Sequence, residues 1–186
     1  MITVLTIWKT ERRWKNNMAD ITKVKVGVCS ITFNSVDLGH TKGGVEVTYS
    51  PVFHDVAVDM YGETIVEQYL TGEKLTVKVP LAESTIANLR VAMPNATFAG
   101  AANARITLGK KAGAKQSSNA AQLVLHPLGE GTRAFDIVLH KAVVSSEIVL
   151  AHKVDEEKVV EVEFTALLDE TKSDGNYLGI IGDSTA

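Results

Sequence analysis

The chain has 186 residues, 45% apolar and 22% charged, which excludes wholesale disorder, a collagen-like repeat and a low-complexity chain. A chain of this length makes one ordinary domain that buries roughly 70% of its unfolded surface without disulfide staples. The net charge of −3 argues against a general nucleic-acid binder, and the single Cys29 leaves no intrachain disulfide and no four-cysteine metal site. No apolar run approaches the ~18 residues of a membrane-spanning helix. The chain holds 23 Val, 11 Ile and 17 Thr, and only 4 Pro, a β-branched excess that favours a mainly β protein.

Residues 1–17 differ from the rest. Met1 to Asn17 starts apolar and turns basic, the reverse of a secretory signal, and its two tryptophans and basic residues keep no helical stripe for a membrane anchor. Glu11-Arg12-Arg13-Trp14 is encodable by a bacterial ribosome-binding sequence, with Met18-Ala19-Asp20 at a workable distance behind it. The expectation is therefore a translated leader over residues 1–17 and a native start at Met18; CGN codons at Arg12 and Arg13 would refute it. The leader carries four basic residues against Glu11, so its removal takes the net charge from −3 to −6.

From Val24 onward strand patterns dominate. Val24, Val26 and Val28 alternate, then Ile31 and Phe33 take over the apolar phase, which predicts a bulge near Cys29–Ser30. Asn34 to Asp37 reads as a turn. Val45, Val47 and Tyr49 alternate with Glu46, Thr48 and Ser50, and further short strands fall at Val56–Val58 and Leu75–Val79. Ile86, Leu89 and Met93 predict one helix over residues 81–93, with Pro80 and Glu83 in its first turn and Pro94 ending it. Strands follow at 105–108, 122–126, 134–140, 143–150 and 158–168, the last with Val160, Val162, Phe164, Ala166 and Leu168 on one face. The Gly/Asp/Ser-rich residues 175–186 form an extended tail. The fold class is mainly β: a β-sandwich or half-open barrel with one flanking α-helix at about residues 81–93, a single domain over residues 18–186. Such sheets have edges that must be paired or blunted.

The sequence holds no convergent chemistry. The histidines at 40, 54, 126, 140 and 152 have no zinc spacing; His54 and Asp55 point to opposite faces of a strand, and His126 and His140 read as possible cross-strand neighbours with structural or surface roles. Cys29 reads as a small core residue. Gly109 to Gln116 has three residues between its glycines where a phosphate loop needs four, and Gln116 where that loop has a hydroxyl, so it reads as a solvated hairpin loop. Asp55, Asp59, Glu63 and Glu67 form an acidic stretch on a solvated strand and loop, without the aromatic lining of a glycosidase cleft. No catalytic, cofactor-binding or metal-ligating residue is expected, and the chain is not expected to be an enzyme.

Three segments carry a family likeness. Gly43 to Pro51 (GGVEVTYSP) followed by Asp55 to Gly62, Gly72 to Thr85 (GEKLTVKVPLAEST), and Phe164 to Leu167 resemble tail tube proteins of long-tailed bacteriophages and prophages. The likeness spans about residues 23–183 and lies in strand order, turn residues and one mid-chain helix. The resemblance implies a β-sandwich with a flanking helix that forms six-membered rings, stacked into a tube around a tape-measure protein. Tail-tip or baseplate and terminator proteins would bound the tube, and double-stranded DNA would pass through it during genome delivery. The implied setting is the virion tail, with assembly in the host cytoplasm and no membrane. A head-to-tail interface that closes gives such a ring, and sheets joined side by side lose their free edges. Because every phosphate neutralised by Lys or Arg strengthens DNA binding, an acidic or neutral lumen avoids a brake. Glu46 and Thr48, or Glu161 and Glu163, are the lumen-facing candidates. Residues 59–72, with Asp59, Tyr61 and Glu63, or residues 109–119, with Lys110, Lys111 and Lys115, are the candidate inter-subunit loops, and the tail at 175–186 is a third.

Two alternatives share or replace this reading. The inner tube of a type VI secretion system or a phage-tail-like bacteriocin would share the fold and differ in its neighbouring genes. A monomeric β-sandwich binding module would need exposed stacking aromatics, whereas Tyr49, Tyr61, Tyr69 and Tyr177 are few and scattered.

Overall fold

The computed structural model describes residues 27–100, 104–129, 131–155 and 157–184. The leader at Met1 to Asn17 and the strand positions Val24 and Val26 lie outside the described residues. The protein is mainly β, with ten strands and one α-helix among the described residues.

Strand β1 (Val28–Phe33) turns through Asn34 and Ser35, both at positive φ, into the short β2 (Val36–Asp37). Two successive positive φ values suit the right-handed twist of a tight hairpin. β1 pairs with β7 (Ala121–Leu128) from Val28↔Leu128 to Phe33↔Leu123 without a register shift, so the predicted bulge at Cys29–Ser30 is absent. Ile31 is fully buried on the core face, with Cys29 and Phe33 packed beside it, and Val28 points out to solvent. The change of apolar phase therefore marks an exposed valine rather than an inserted residue.

β3 (Glu46–Ala57) and β4 (Ile65–Leu81) form one long antiparallel hairpin where the sequence suggested several short strands. Pro51 lacks a donor, yet β3 is an edge strand, where a missing N–H is tolerated. β4 continues through Pro80 to Leu81 because β9 (Val160–Ala166) pairs with it to its end, Leu81↔Val160. The predicted helix start is corrected accordingly: α1 spans Ile86–Ala92 only, and Pro80 belongs to a strand. Thr85 caps the helix, its hydroxyl accepting from the Asn88 N–H at 3.2 Å. The buried Asn88 side chain donates to the carbonyls of Leu38 (3.0 Å) and Glu83 (2.9 Å), which ties the helix to the chain leaving β2. Glu83 lies in the connecting loop, where its carboxylate accepts the His40 N–H. Gly39 faces that carboxylate with φ of +76°, and a Cβ there would collide with it.

β5 (Thr97–Ala99) and β6 (Arg105–Thr107) make a separate two-stranded ribbon, with the Arg90 guanidinium of α1 over the Phe98 ring at 5.1 Å. β8 (Ile137–Val144) is one strand where two were predicted, and residues 145–150 are a loop. It exchanges partners along its length: Ile137 to Leu139 pair with β7 on one side and with β10 (Gly179–Ile181) on the other, and Ala142 to Val144 pair with β9. The main sheet runs β2-β1-β7-β8-β9-β4-β3, with β10 beside β8. This partner exchange curls the sheet into a half-open barrel around one core. Ile31, Leu38, Leu123 and Leu139 face Val77, Val79, Leu81, Val162 and Phe164, and the Phe33 and Phe164 rings meet at 5.2 Å. Leu168 lies past the end of β9 and is exposed.

Candidate functional site

The register places all four lumen candidates on one sheet face. Glu46 pairs with Lys78, and Lys78 with Glu163, so the three charges form one row across β3, β4 and β9. The next row is Thr48, Thr76 and Thr165, and Glu161 stands opposite Pro80. The opposite faces of β4 and β9 hold the buried Val77, Val79, Val162 and Phe164, so the charged face is the outer one. It is mixed in sign: Glu46, Glu161 and Glu163 against Lys74 and Lys78. At its end it dips into a cleft of about 410 Å³ shared by Lys42, Glu46, Lys78, Glu147, Glu161 and Glu163. Lys42 forms an exposed ion pair with Glu157 beside this cleft, which holds the Glu157 carboxyl below its ordinary range.

The second feature is the far half of the same hairpin. Every residue from Val52 to Gly72 is exposed except the half-buried Val56 and Gly72. The paired strands run about 20 Å past the core, at some 3.3 Å per residue. β4 carries one extra residue at Thr71 and another at Val66, whereas β3 has none, so the alternation of β3 passes through unbroken. Val47 and Tyr49 therefore share their face with Phe53, whose partner Leu70 continues the face of Val77 and Leu75. Val77 is fully buried, whereas Phe53 and Leu70 are about half exposed, as are Val52, Ile65, Val66 and Tyr69. The sequence grouped Tyr49 with the core valines; it stands 54% exposed where the hairpin leaves the core, its hydroxyl on the Glu73 carboxylate. That contact raises the Tyr49 pKa.

The hairpin ends in an ordered turn. Asp59–Tyr61 forms one 3-10 turn, closed by the Tyr61 N–H on the Val58 carbonyl at 2.9 Å, and Gly62 follows at φ of +62°. With its backbone groups paired, the tip presents Met60, 84% exposed, and Tyr61. Asp59, Tyr61 and Glu63 thus sit together at the tip. Between Val52 and Gly72 the chain has four carboxylates, Asp55, Asp59, Glu63 and Glu67, and no Lys or Arg.

Lys110, Lys111 and Lys115 lie elsewhere. Their loop does not close a hairpin; it leads from β6 to a 3-10 turn at Gln116–Asn119 and so crosses from the ribbon to the main sheet. It forms one wall of an open cleft of about 560 Å³, with Met93, Leu108, Val144 and Ile148 as apolar lining and Lys110 and Lys111 at the rim. Leu108 is 75% exposed.

Several other polar side chains pair within the fold. His126 and His140 are not cross-strand neighbours: His126 Nδ1 meets Asp136 Oδ1 at 2.6 Å, and His140 Nε2 meets Asn176 Oδ1 at 2.8 Å. The β7–β8 pairing ends at Leu125↔Ile137, which brings the next residues, His126 and Asp136, together just past the end of β8. Lys141 Nζ lies 2.9 Å from Asp169 Oδ1, and the Lys141 and Thr171 side chains together hold Asp169 down to about 2. These contacts fasten the C-terminal segment, whose β10 pairs with β8. Burial pushes the Cys29 thiol up, which favours the protonated, inert form. Among the described residues no three His, Cys, Asp or Glu side chains converge as a metal site, and no helix is long and apolar enough to cross a membrane. The feature that sequence reasoning missed is the apolar face on the projecting hairpin. Its signal was present in the residues: Phe53, Ile65 and Leu70 flank an acidic stretch that was read only for its charge.

No family model matches the chain, and no curated protein does.

Proposed function

We propose that the chain is a self-assembling structural protein, the subunit of a tube built from stacked six-membered rings, as in the tail tube of a long-tailed bacteriophage or prophage. The observation that carries this reading is the core face of β3–β4, which continues onto a projecting arm that no other element covers among the described residues. Fully burying a large apolar side chain stabilises by about 1.5–3 kcal/mol, so Phe53 and Leu70, with Ile65 beyond the Asp55–Gln68 pair on the same face, give the arm a drive to associate. The β3 edge adds to it: twelve residues with one side unpaired among the described residues form a template for another sheet. Head-to-tail joining of such edges closes a ring when the rotation allows, and the joined sheets become one barrel. Closed barrels of about 16–18 strands already leave an aqueous channel.

In this arrangement the outer face of β3, β4 and β9 lines the lumen. Glu46, Thr48, Glu161 and Glu163 then face the passing DNA, and Lys78 stands between Glu46 and Glu163 in its row. Few phosphates find a free cation, so few counterions are released and the DNA slides. Tape-measure, terminator and tail-tip proteins are the partners this role requires. Light scattering and negative-stain electron microscopy of the purified full chain test it. Rings or tubes with an open centre are expected. A strict monomer at high concentration that also fails to extend on a matching tail-tip complex would favour the monomeric binding module instead.

A further inference from the structure

The two candidate loops carry opposite charge, and neither finds an opposite charge among the described residues. From Val52 to Gly72 there are four carboxylates and no Lys or Arg. From Ser84 to Gly129 there is no Asp or Glu at all, while Arg90, Arg105, Lys110, Lys111 and Lys115 fall in that stretch. Neither Asp59 and Glu63 at the hairpin tip nor the three loop lysines have an ion-pair partner among the described residues. The shapes are also complementary. The tip is convex, ordered by its 3-10 turn, and ends in the exposed Met60 and Tyr61. The lysine loop borders an open cleft of about 560 Å³ with a mixed lining, its apolar part Met93, Leu108, Val144 and Ile148, within the range that accepts a few large side chains.

We propose that the hairpin tip of one copy seats in the lysine-rimmed cleft of a second copy. Met60 and Tyr61 enter over Met93, Leu108, Val144 and Ile148, and Asp59 and Glu63 meet Lys110 and Lys111 at the rim. The inference rests on the reading of the chain as a tube subunit and adds which surface receives the arm. The contact joins two different patches, so each copy gives a tip and receives one, and the contact propagates instead of stopping at a dimer. Like charges lie within each patch and unlike charges across the pair, which also disfavours tip-to-tip and cleft-to-cleft pairing.

Charge reversal and cross-linking of the full chain test it. D59K/E63K and K110E/K111E are each expected to lose pelletable polymer, and the fourfold combination to regain it. M60C/L108C, oxidised after assembly, should give a non-reducing ladder beyond dimer, whereas either single cysteine variant should stop at dimer. All these positions are on the surface, and unchanged thermal melts would show that the fold persists. Polymer that survives both reversals and gives no ladder overturns the inference while the tube reading stands. Wild-type chain that forms no ring or tube, alone or on a tail tip, overturns both.

Discussion

The two halves of the β3–β4 hairpin share one pair of strands and have opposite fates. Near the core, Val77 and Val79 are buried and the polar partners point outward. Beyond Val52, the same alternation carries Phe53, Leu70 and Ile65 into solvent. Strand alternation specifies a face, and other elements decide whether that face is covered. In the near half the cover is β1, β7 and α1. In the far half the described residues supply none, and a second copy is the proposed cover.

The largest effect should separate the two halves directly. Phe164→Ala removes a fully buried ring packed on Phe33 and should cost about 3–5 kcal/mol, read by denaturant or thermal unfolding. Phe53→Ser, on the arm, should change monomer stability by less than about 1 kcal/mol and abolish assembly. A large loss of monomer stability in Phe53→Ser would mean that the arm is covered by its own chain.

Gly179→Ala comes next. A Cβ at this position would run into the Val138 carbonyl, so β10 must shift off β8. The expected cost is on the order of 1–3 kcal/mol, with faster hydrogen exchange at Ile137 to Leu139 and none at the arm.

The Lys141–Asp169 contact gives a pH signature. Asp169 titrates at about 2 in the fold against 3.8 unfolded, so its contribution is fully present above pH 3.8 and is lost as pH falls towards 2. Asp169→Asn should flatten the acid limb of the stability curve in that window and leave assembly at neutral pH unchanged.

The smallest effect on folding should come from the outer face. Glu46→Lys, Glu161→Lys and Glu163→Lys should each shift stability by less than about 1 kcal/mol, because the positions are on the surface. Their effect should appear in DNA passage, as slower genome delivery. Unchanged delivery for every variant would remove this face from the lumen.

Much of the fold was legible in local pattern. β9 alternates without a break, and its inward set is buried as expected from Val160 to Ala166. The helix was legible in its stripe but not in its start, since Pro80 is held in β4 by pairing with a strand about eighty residues away, which overrides local propensity. Thr85, the true cap, was available as a signal. The length of the hairpin was hidden because the alternation is clear only in short segments, whereas pairing carries the strands past Pro51, on an edge strand, and past Gly72, beside a bulge. That Glu46 and Glu163 flank one lysine depends on long-range register, which no local spacing encodes.

The central claim is that the arm is an assembly element with a core-like face. Sedimentation of wild type and Phe53→Ser over the same concentration range, with electron microscopy of both, tests it most directly. The account predicts open-centred rings or tubes from the wild type and a folded monomer from the variant. Equal assembly of the two proteins would contradict it.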